Sequence, residues 1–520
     1  MRTQLLLPAL ALGISAALAQ PAIQWENTYG GPDDEAAHAA LRTTDGGYLL
    51  VGHTTSEGGQ VTGQHGNEDL WAVKTDANGA LLWQRALGSE ASEGGLAVTL
   101  TSDGGYLIAG TADDPGGDVG NVIGDGDVWL VKLDASGTIV WENTYGGTSY
   151  DEPRAMVETA GGYVVAAYTE SDNGQVTGYS GSGDLWMFGV SGTGTLLWQL
   201  ALGGTDTDEP FGMAATMDGG VIVAGASKSN NGTLTQNFGG EDAWLVKLSA
   251  AGALQWQQVY GHTGDERAMD VVQRADGGFA FAAATNSQGG PVSQHFGNYD
   301  YWLVRVNPNG TLQGQSSFGG SGDDIPRALV HTSDGGYALA GYTASDNQHV
   351  TAPLGGFDQW VVKTDAGGVM QWQRTLGGSD DDEAFALEQT PDGGYIVAGL
   401  TNSDDQHVQL GRGGIDFWAV KLGPDVVSVA ELDGGPMAMA VHPQPARDHA
   451  RLHFTLDTPA PVRYLLIDAA GRTVLDRSAG TLPAGTHQLP LDLSALESGR
   501  YQLWLHAGDH RAGQAVVVVR

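Results

Sequence analysis

The chain has 520 residues, 61 acidic side chains against 24 basic ones, 80 glycines, 14 tryptophans and no cysteine. A formal charge of −37 argues against polyanionic partners, nucleic acid and acidic lipid alike. The missing cysteines exclude disulfides, thiolate zinc sites, iron–sulfur clusters and cysteine nucleophiles.

Residues 1–19 read MRTQLLLPALALGISAALA. Arg2 supplies the positive start, an apolar run follows, and Ala17-Leu18-Ala19 forms a small-residue cleavage site. The segment therefore reads as a secretory signal peptide, and it is too short to span a membrane. No other stretch reaches transmembrane length, so a mature chain outside the cytoplasm is expected. Its glycine content does not imply disorder, because 41% hydrophobic residues supply a core.

From residue 20 onward the sequence repeats. Asp-Gly-Gly or its remnant begins at Asp45, Asp103, Ala160, Asp218, Asp276, Asp334 and Asp392, at steps of 58 residues with one of 57. An Asp-x-Trp motif keeps the same steps at Trp71, Trp129, Trp186, Trp244, Trp302, Trp360 and Trp418. A third column holds Trp25, Trp83, Trp141, Trp198, Trp256 and Trp372, with Gly314 where a further member is due. Seven copies at a fixed period mean a repeat architecture.

Each unit holds four short segments mixing apolar, aromatic and β-branched residues, bounded by Gly, Asp or Asn. The expected fold is all-β: a seven-bladed β-propeller of four-stranded blades over 20–423. From the axis outward the strands are expected to be the one leading into Asp-Gly-Gly, the GYxxAG strand, the Asp-x-Trp strand and the outer Trp strand. The Trp25 strand is spare at the start, and its counterpart near residue 430 is missing. Residues 24–29 are therefore expected to complete the last blade and remove an exposed edge.

The units 379–416 and 147–186, with GGSDDDEA, TPDGGYIVAGLTNS, SDNGQVTG and GxxDxWxVKxD, resemble a family of secreted bacterial propeller repeats. The resemblance covers 20–423 and implies fold and location rather than an activity. Thr390-Pro391-Asp392-Gly393-Gly394 also faintly resembles the Asp-box hairpin of sialidase-type propellers. Its aromatic is displaced, which makes it a matter of hairpin chemistry.

The period stops after Lys421. Residues 424–435 read as a linker, and 436–520 change composition, with eight Arg, no Lys, seven acids and six of the 14 His. Alternating apolar segments there indicate a small β-sandwich. This tail resembles the type A sorting domain of the bacterial type IX secretion system. The matching residues are Pro443-x-Pro445, Asp468-Ala469-Ala470-Gly471-Arg472, Leu496-Glu497-Ser498-Gly499-Arg500-Tyr501 and the terminal Arg520, with Gln444 where the family has Asn. The resemblance implies export by the type IX machinery through 436–520. The protein would then be secreted, or displayed on the outer surface of a Gram-negative bacterium.

Ahead of the tail, residues 20–435 hold 54 acids and 15 bases. Most of these acids are expected in loops of one propeller face. Acidic pairs recur at Asp34–Glu35, Asp151–Glu152, Asp208–Glu209, Asp265–Glu266, Asp323–Asp324 and Asp382–Glu383. They read either as turn formers and solubilising groups or as ligands of Ca²⁺, which takes 6–8 oxygens. Loops 171–174 and 402–405 carry suitable donors, without EF-hand spacing. Lys74, Lys132, Lys247, Arg305, Lys363 and Lys421 are expected to pair with acids, contributing little where exposed. The Trp columns are expected to pack blades together, with carbohydrate stacking the alternative for exposed members, and Gly314 is expected either to loosen its blade or to open a local groove. His65, His295, His349 and His407 fall at similar places in the loops; they read either as weak metal ligands ringing that face or as ordinary polar loop residues.

No HExxH, G-x-S-x-G, P-loop or dinucleotide fingerprint is present, and no catalytic residue is assigned. The repetition favours a monomeric, non-enzymatic binding propeller for a glycan or a cationic protein. The alternative is a secreted polysaccharide hydrolase or lyase, centred on the divergent stretch 113–127 or on the Gly314 blade.

Overall fold

The computed structural model describes residues 20–425 except 235, and 439–519 except 444–445, 457, 468–472, 497 and 509. Residues 1–19, read above as a signal peptide, 426–435 of the stretch read as a linker, and Gln444, Pro445, 468–472, Glu497 and Arg520 of the residues that carry the tail's resemblance lie outside the described residues. The chain divides into two units at Val426/Val427.

The first unit is a propeller of seven four-stranded antiparallel sheets. Blade 1 comprises Glu35–Arg42, Tyr48–Thr54, Asp69–Thr75 and Leu81–Leu87, hydrogen-bonded in that order. Blades 2 to 6 repeat the pattern, with inner strands Glu93–Leu100, Asp151–Thr159, Asp208–Ala215, Glu266–Gln273 and Asp324–His331. Blade 7 has Asp382–Gln389, Tyr395–Thr401 and Asp416–Leu422 from the carboxyl side. Its outer strand is Ile23–Tyr29, paired antiparallel with Asp416–Leu422. Ile23–Tyr29 thus closes the ring and covers what would be a bare edge.

The second and third strands of a blade lie between two neighbouring blades, so both of their faces are covered. This is why Tyr48–Thr54 and Asp69–Thr75 are almost wholly buried. The packing layers run between blades: Leu107, Ala109 and Leu130 of blade 2 share one core with Val165, Trp186 and Phe188 of blade 3. The seven tryptophans of the Asp-x-Trp column are fully buried. Each indole N–H finds an acceptor on the outer strand, such as Gln84 for Trp71 and Glu26 for Trp418. A buried indole needs such a partner.

The outer tryptophans pack against the next blade's outer hairpin, where only glycine fits. A Cβ at Gly137 would lie 3.1 Å from Trp83, and one at Gly252 would lie 2.6 Å from Trp198. Gly314 does not open the expected groove. Arg305, which stands where most blades have lysine, swings into the vacated space. Its Nη2 lies 2.4 Å from where a Gly314 Cβ would be, and its Nη1 donates to Ala366 O at 2.9 Å.

The Asp-Gly-Gly hairpins carry the ion pairs. Lys74 Nζ meets Asp45 at 2.9 Å and also donates to Thr75 O at 2.8 Å. Lys132–Asp103, Lys247–Asp218, Lys363–Asp334 and Lys421–Asp392 repeat the arrangement. These are not exposed pairs, because the lysine ends are buried while the aspartates remain half-exposed. Blade 3 lacks both members, with Ala160 and Gly189 in their places. In blade 5, Asp276 pairs with Arg274 instead.

Lys363 is 0% exposed and Asp334 45% exposed, so the pair lies between the buried and surface limits. Asp334→Ala leaves the ammonium without its counter-charge, still bonded to Thr364 O at 2.8 Å and Gln371 Oε1 at 2.9 Å, and is expected to cost about 1–3 kcal/mol, below the roughly 3–5 of a fully buried pair. The double variant with Lys363→Met should recover the part of that loss owed to the uncompensated charge, but not the part owed to the Thr332 and Gly336 bonds to Asp334. Urea unfolding of the two variants checks this; equal losses in the single and double variants would contradict it.

The second unit has a three-stranded sheet of Met439–His442, His449–Leu456 and Gly485–Asp492. Its four-stranded sheet runs Thr473–Leu482, Ala460–Ile467, Gly499–Ala507, His510–Val518. Val441, Leu452 and Phe454 of the first sheet share a core with Val462, Leu466, Leu503, Leu505 and Val516 of the second. The tail is therefore a β-sandwich.

Candidate functional site

The acidic pairs divide in the structure, and they divide differently from blade to blade. One buried carboxylate per blade opens the inner strand: Glu35, Glu93, Asp151, Asp208, Glu266, Asp324 and Asp382, all 0% exposed. In blades 1, 5 and 6 this is the second acid of the pair; in blades 3, 4 and 7 it is the first. The other members lie apart from this column. Asp34 is exposed, and its Oδ1 accepts the Ile415 N–H at 3.0 Å. Asp265 accepts Glu241 N–H at 3.0 Å and Tyr299 O–H at 3.1 Å. Glu152 and Glu209 both reach Arg154, and Asp323 and Glu383 are half-buried.

The buried column is well supplied with donors. Asp151 accepts from Gly147 N–H at 2.8 Å, Ser171 Oγ at 2.8 Å and the Thr169 hydroxyl. Asp324 and Asp382 have the same three kinds of donor, and Asp208 has them with Ser227 in place of the threonine. Glu35 and Glu266 each take a backbone N–H and a threonine hydroxyl. In blade 2 the threonine is replaced by Ala112, and Glu93 turns to the amide and hydroxyl of Ser89.

A second set of buried carboxylates faces this column, and sequence reading did not assign it. These are the aspartates of Asp-x-Trp: Asp69, Asp127, Asp184, Asp242, Asp300, Asp358 and Asp416, at most 1% exposed. Their signal was the period they share with the tryptophans. Each accepts a backbone N–H four residues earlier, as Asp358 Oδ2 does from Leu354 at 2.8 Å. Each meets the buried acid of the next blade across a glycine. A Cβ at Gly261 would lie 1.9 Å from Asp242 Oδ1 and 2.4 Å from Glu266 Oε2. At Gly30 the corresponding distances are 2.0 Å to Asp416 Oδ1 and 2.4 Å to Glu35 Oε2. The facing carboxylates are therefore within roughly 4–5 Å of each other, inside the range where like charges interact strongly.

The four loop histidines are spread around the ring. His65 and His295 approach Asp69 and Asp300 at 3.0 and 2.9 Å. His349 and His407 accept the Gly319 and Gly377 N–H groups. Asn173 of loop 171–174 ties loops together through Thr148, as Asp405 does through Ser379. Among the described residues, no three His, Asp or Glu side chains converge on a common metal position.

Burial pushes Asp242, Asp300, Asp358, Asp382 and Asp416 up to about 6, and for all but Asp382 the facing carboxylate adds to the rise. The unfolded value is about 3.9. The folded state thus binds more protons between pH 4 and 6, and stability rises as pH falls through that window. Hydrogen bonds from threonine and lysine hold Asp103 and Asp218 at about 2, so stability is lost again as pH falls from about 4 toward 2. In EDTA, the melting temperature is expected to be higher at pH 5 than at pH 7. A flat or falling profile from 7 to 5 would contradict the buried pairs.

The repeats diverge at the axis. Every inner strand has a β-bulge at its fourth residue, with register breaks such as Ala37/Ala39, Pro153/Ala155 and Pro326/Ala328. The seven bulge residues are His38, Leu96, Arg154, Phe211, Met269, Arg327 and Phe385. A bulge leaves its residue outside the ladder and re-aims its side chain. All seven line a central cavity of about 530 Å³. An adjoining cavity of about 450 Å³ adds Glu209, Arg267, Tyr299, Asp323 and Tyr342. Arg154 pairs with Glu152 at 2.8 Å. The Arg327 guanidinium lies 5.5 Å from the Phe385 ring centre and 5.8 Å from that of Tyr342. His38 Nε2 lies 3.2 Å from His53 Nδ1, and burial holds His38 neutral at a value of about 3. Asp270, the only acid at the position after the bulge, is raised by burial to about 7 and accepts Leu329 N–H at 2.8 Å.

No family model matches the chain. The regulatory protein FlaEY of Caulobacter vibrioides is 26% identical over 377 residues, covering 64% of this chain and 39% of that protein. The chain thus spans about two fifths of the length of the curated relative it matches. Among solved structures, the plexin A4 extracellular region aligns with 95% of this chain and 67% of its own at TM-score 0.47 and 7% identity. A fungal alcohol oxidase of the AA5 family, in complex with copper, aligns with 96% of this chain and all of its own at TM-score 0.43 and 12% identity. The propeller assignment stands on the sheet topology itself.

Proposed function

We propose that this protein is an exported binding propeller that takes a glycan at the mouth of its central channel. The observation that carries this reading is the contrast between scaffold and bulge ring. Buried acids, tryptophans and hairpin turns repeat around the ring, while the seven bulge residues span cationic, aromatic, imidazole and aliphatic chemistry. A selective site on a symmetric scaffold needs such a break. Aromatic faces at Phe211, Phe385, Tyr299 and Tyr342 suit stacking on sugar rings, and Arg154, Arg327 and Glu209 suit hydroxyl and carboxyl groups. Hydrolysis or lysis at this channel is the competing reading. A glycan array run beside a turnover screen on the same polysaccharides separates the two. Binding without product supports the module; turnover that survives repurification would replace it.

The export reading rests on the tail's resemblance to a type IX sorting domain, together with the leader at 1–19. It makes 436–520 the part read by the secretion machinery and places the mature protein outside the cell or on its outer surface. A reporter fused to 436–520 in a bacterium possessing that system should reach the medium or cell surface. Retention in the periplasm would contradict the reading.

A further inference from the structure

Each blade junction buries two carboxylates, and the two are unequal. The inner-strand acid is held by two or three donors. In six of the seven junctions the Asp-x-Trp acid is held on Oδ2 only: Asp127, Asp184, Asp242, Asp300, Asp358 and Asp416 have a buried Oδ1 with no hydrogen-bond partner among the described residues, whereas Asp69 Oδ1 accepts the Gly66 N–H at 3.3 Å. In those six, Oδ1 is the atom turned toward the facing carboxylate. At Gly203, a Cβ would lie 2.0 Å from Asp184 Oδ1 and 2.7 Å from Asp208 Oδ2. Burying ionised carboxylates without a counter-charge is costly, and the remedies are a proton, a cationic side chain or a metal ion.

The junctions differ in which remedy the chain supplies. His65 stands against Asp69, and His295 against Asp300. Arg412 donates its amide to Asp416, and its charge favours the ionised form there. At the four remaining junctions, built on Asp127, Asp184, Asp242 and Asp358, no cationic side chain among the described residues forms an ion pair with the Asp-x-Trp carboxylate. Two of these carry further acid nearby, Asp265 beside Asp242 and Asp381 beside Asp382.

We propose that Ca²⁺ completes these four junctions, bridging the unpartnered aspartate oxygen and the facing carboxylate of the next blade. The donors are all oxygen, which selects a hard cation over zinc or copper. Two carboxylates are fewer than a full shell, so backbone carbonyls or water supply the remaining ligands, as Ca²⁺ sites permit. Ca²⁺ then acts as a bolt between blades and removes two negative charges at each junction. This site is separate from the channel and does not depend on the ligand read there.

The test uses the whole chain, prepared in Ca²⁺ and dialysed, with metal content measured by mass spectrometry. About four Ca²⁺ per chain are expected, together with a melting temperature higher in Ca²⁺ than in EDTA. Tb³⁺ exchanged into the sites should show tryptophan-sensitised emission, since Trp129, Trp186, Trp244 and Trp360 stand two positions from the four aspartates on the same strands. Asp242→Asn keeps the side-chain size and supplies a donor to Glu266. It should lose one Ca²⁺, shrink the Ca²⁺ response and raise the melting temperature in EDTA. Absence of retained metal, absence of sensitised emission and equal melting in Ca²⁺ and EDTA would overturn the proposal. Full metal content in Asp242→Asn would overturn it as well.

Discussion

Gly261→Ala is expected to be among the most damaging single substitutions in the propeller. The new methyl group would lie 1.9 Å from Asp242 Oδ1 and 2.4 Å from Glu266 Oε2. Neither carboxylate can retreat freely. Glu266 is held by His262 N–H at 2.8 Å and Thr285 Oγ1 at 2.9 Å, and Asp242 by the Phe238 amide. Overpacking alone costs about 1–3 kcal/mol, and shifting two buried charged groups off their donors adds to it, so about 3 kcal/mol or more is expected. Gly46→Ala is the control. Its φ of 88° strains any other residue, but no atom lies within 4 Å of the new Cβ. It should cost only about 1 kcal/mol. Chemical denaturation of the two variants compares them, and similar losses would show that the junction is looser than the geometry requires.

The second large effect is expected from the closing strand. Removing residues 20–30 strips blade 7 of Ile23–Tyr29 and leaves Asp416–Leu422 as a bare edge. It also removes the bond from Trp418 Nε1 to Glu26 at 3.0 Å and that from Tyr29 Oη to Gly79 O at 2.6 Å. The last links blade 7 to blade 1, so its loss acts on ring closure as well as on the blade. The truncated chain should melt far lower, in more than one step, and aggregate through the freed edge. Adding back a peptide of residues 20–30 should restore part of the stability. A truncated chain that melts like the intact one would contradict closure by this strand.

Much of this architecture was legible because a closed ring imposes one period on everything structural. The columns led by Asp45, Trp71 and Trp25 sit at fixed steps, and the spare Trp25 strand marks the point of closure. Four features were not legible. Which acid of each pair is buried depends on the phase of strand entry, so Asp34–Glu35 and Asp151–Glu152 look alike in sequence yet bury opposite members. The lysines look like surface residues, but the blade edge covers their stems and leaves only the aspartates in water. Gly314 reads as a gap because its filler, Arg305, lies on another strand. The bulge ring was missed because a bulge is a matter of register: Arg154 and Phe385 carry no local mark that sets them outside the ladder. The channel site thus emerges only once the seven strands are arranged around one axis.

The most direct measurement is ligand binding with the bulge ring altered and the scaffold left intact. Arg327→Leu with Phe385→Leu copies the residue that blade 2 already has at Leu96, so folding should be preserved, as an unchanged melting temperature would show. Binding to the glycan selected on the array should fall at least tenfold in the double variant. It should remain within twofold in Asp33→Asn with Asp380→Asn, which alter the acidic loops alone. Undiminished binding in the channel variant, or loss only in the loop variant, would contradict the central claim that the ligand is read where the repeats diverge.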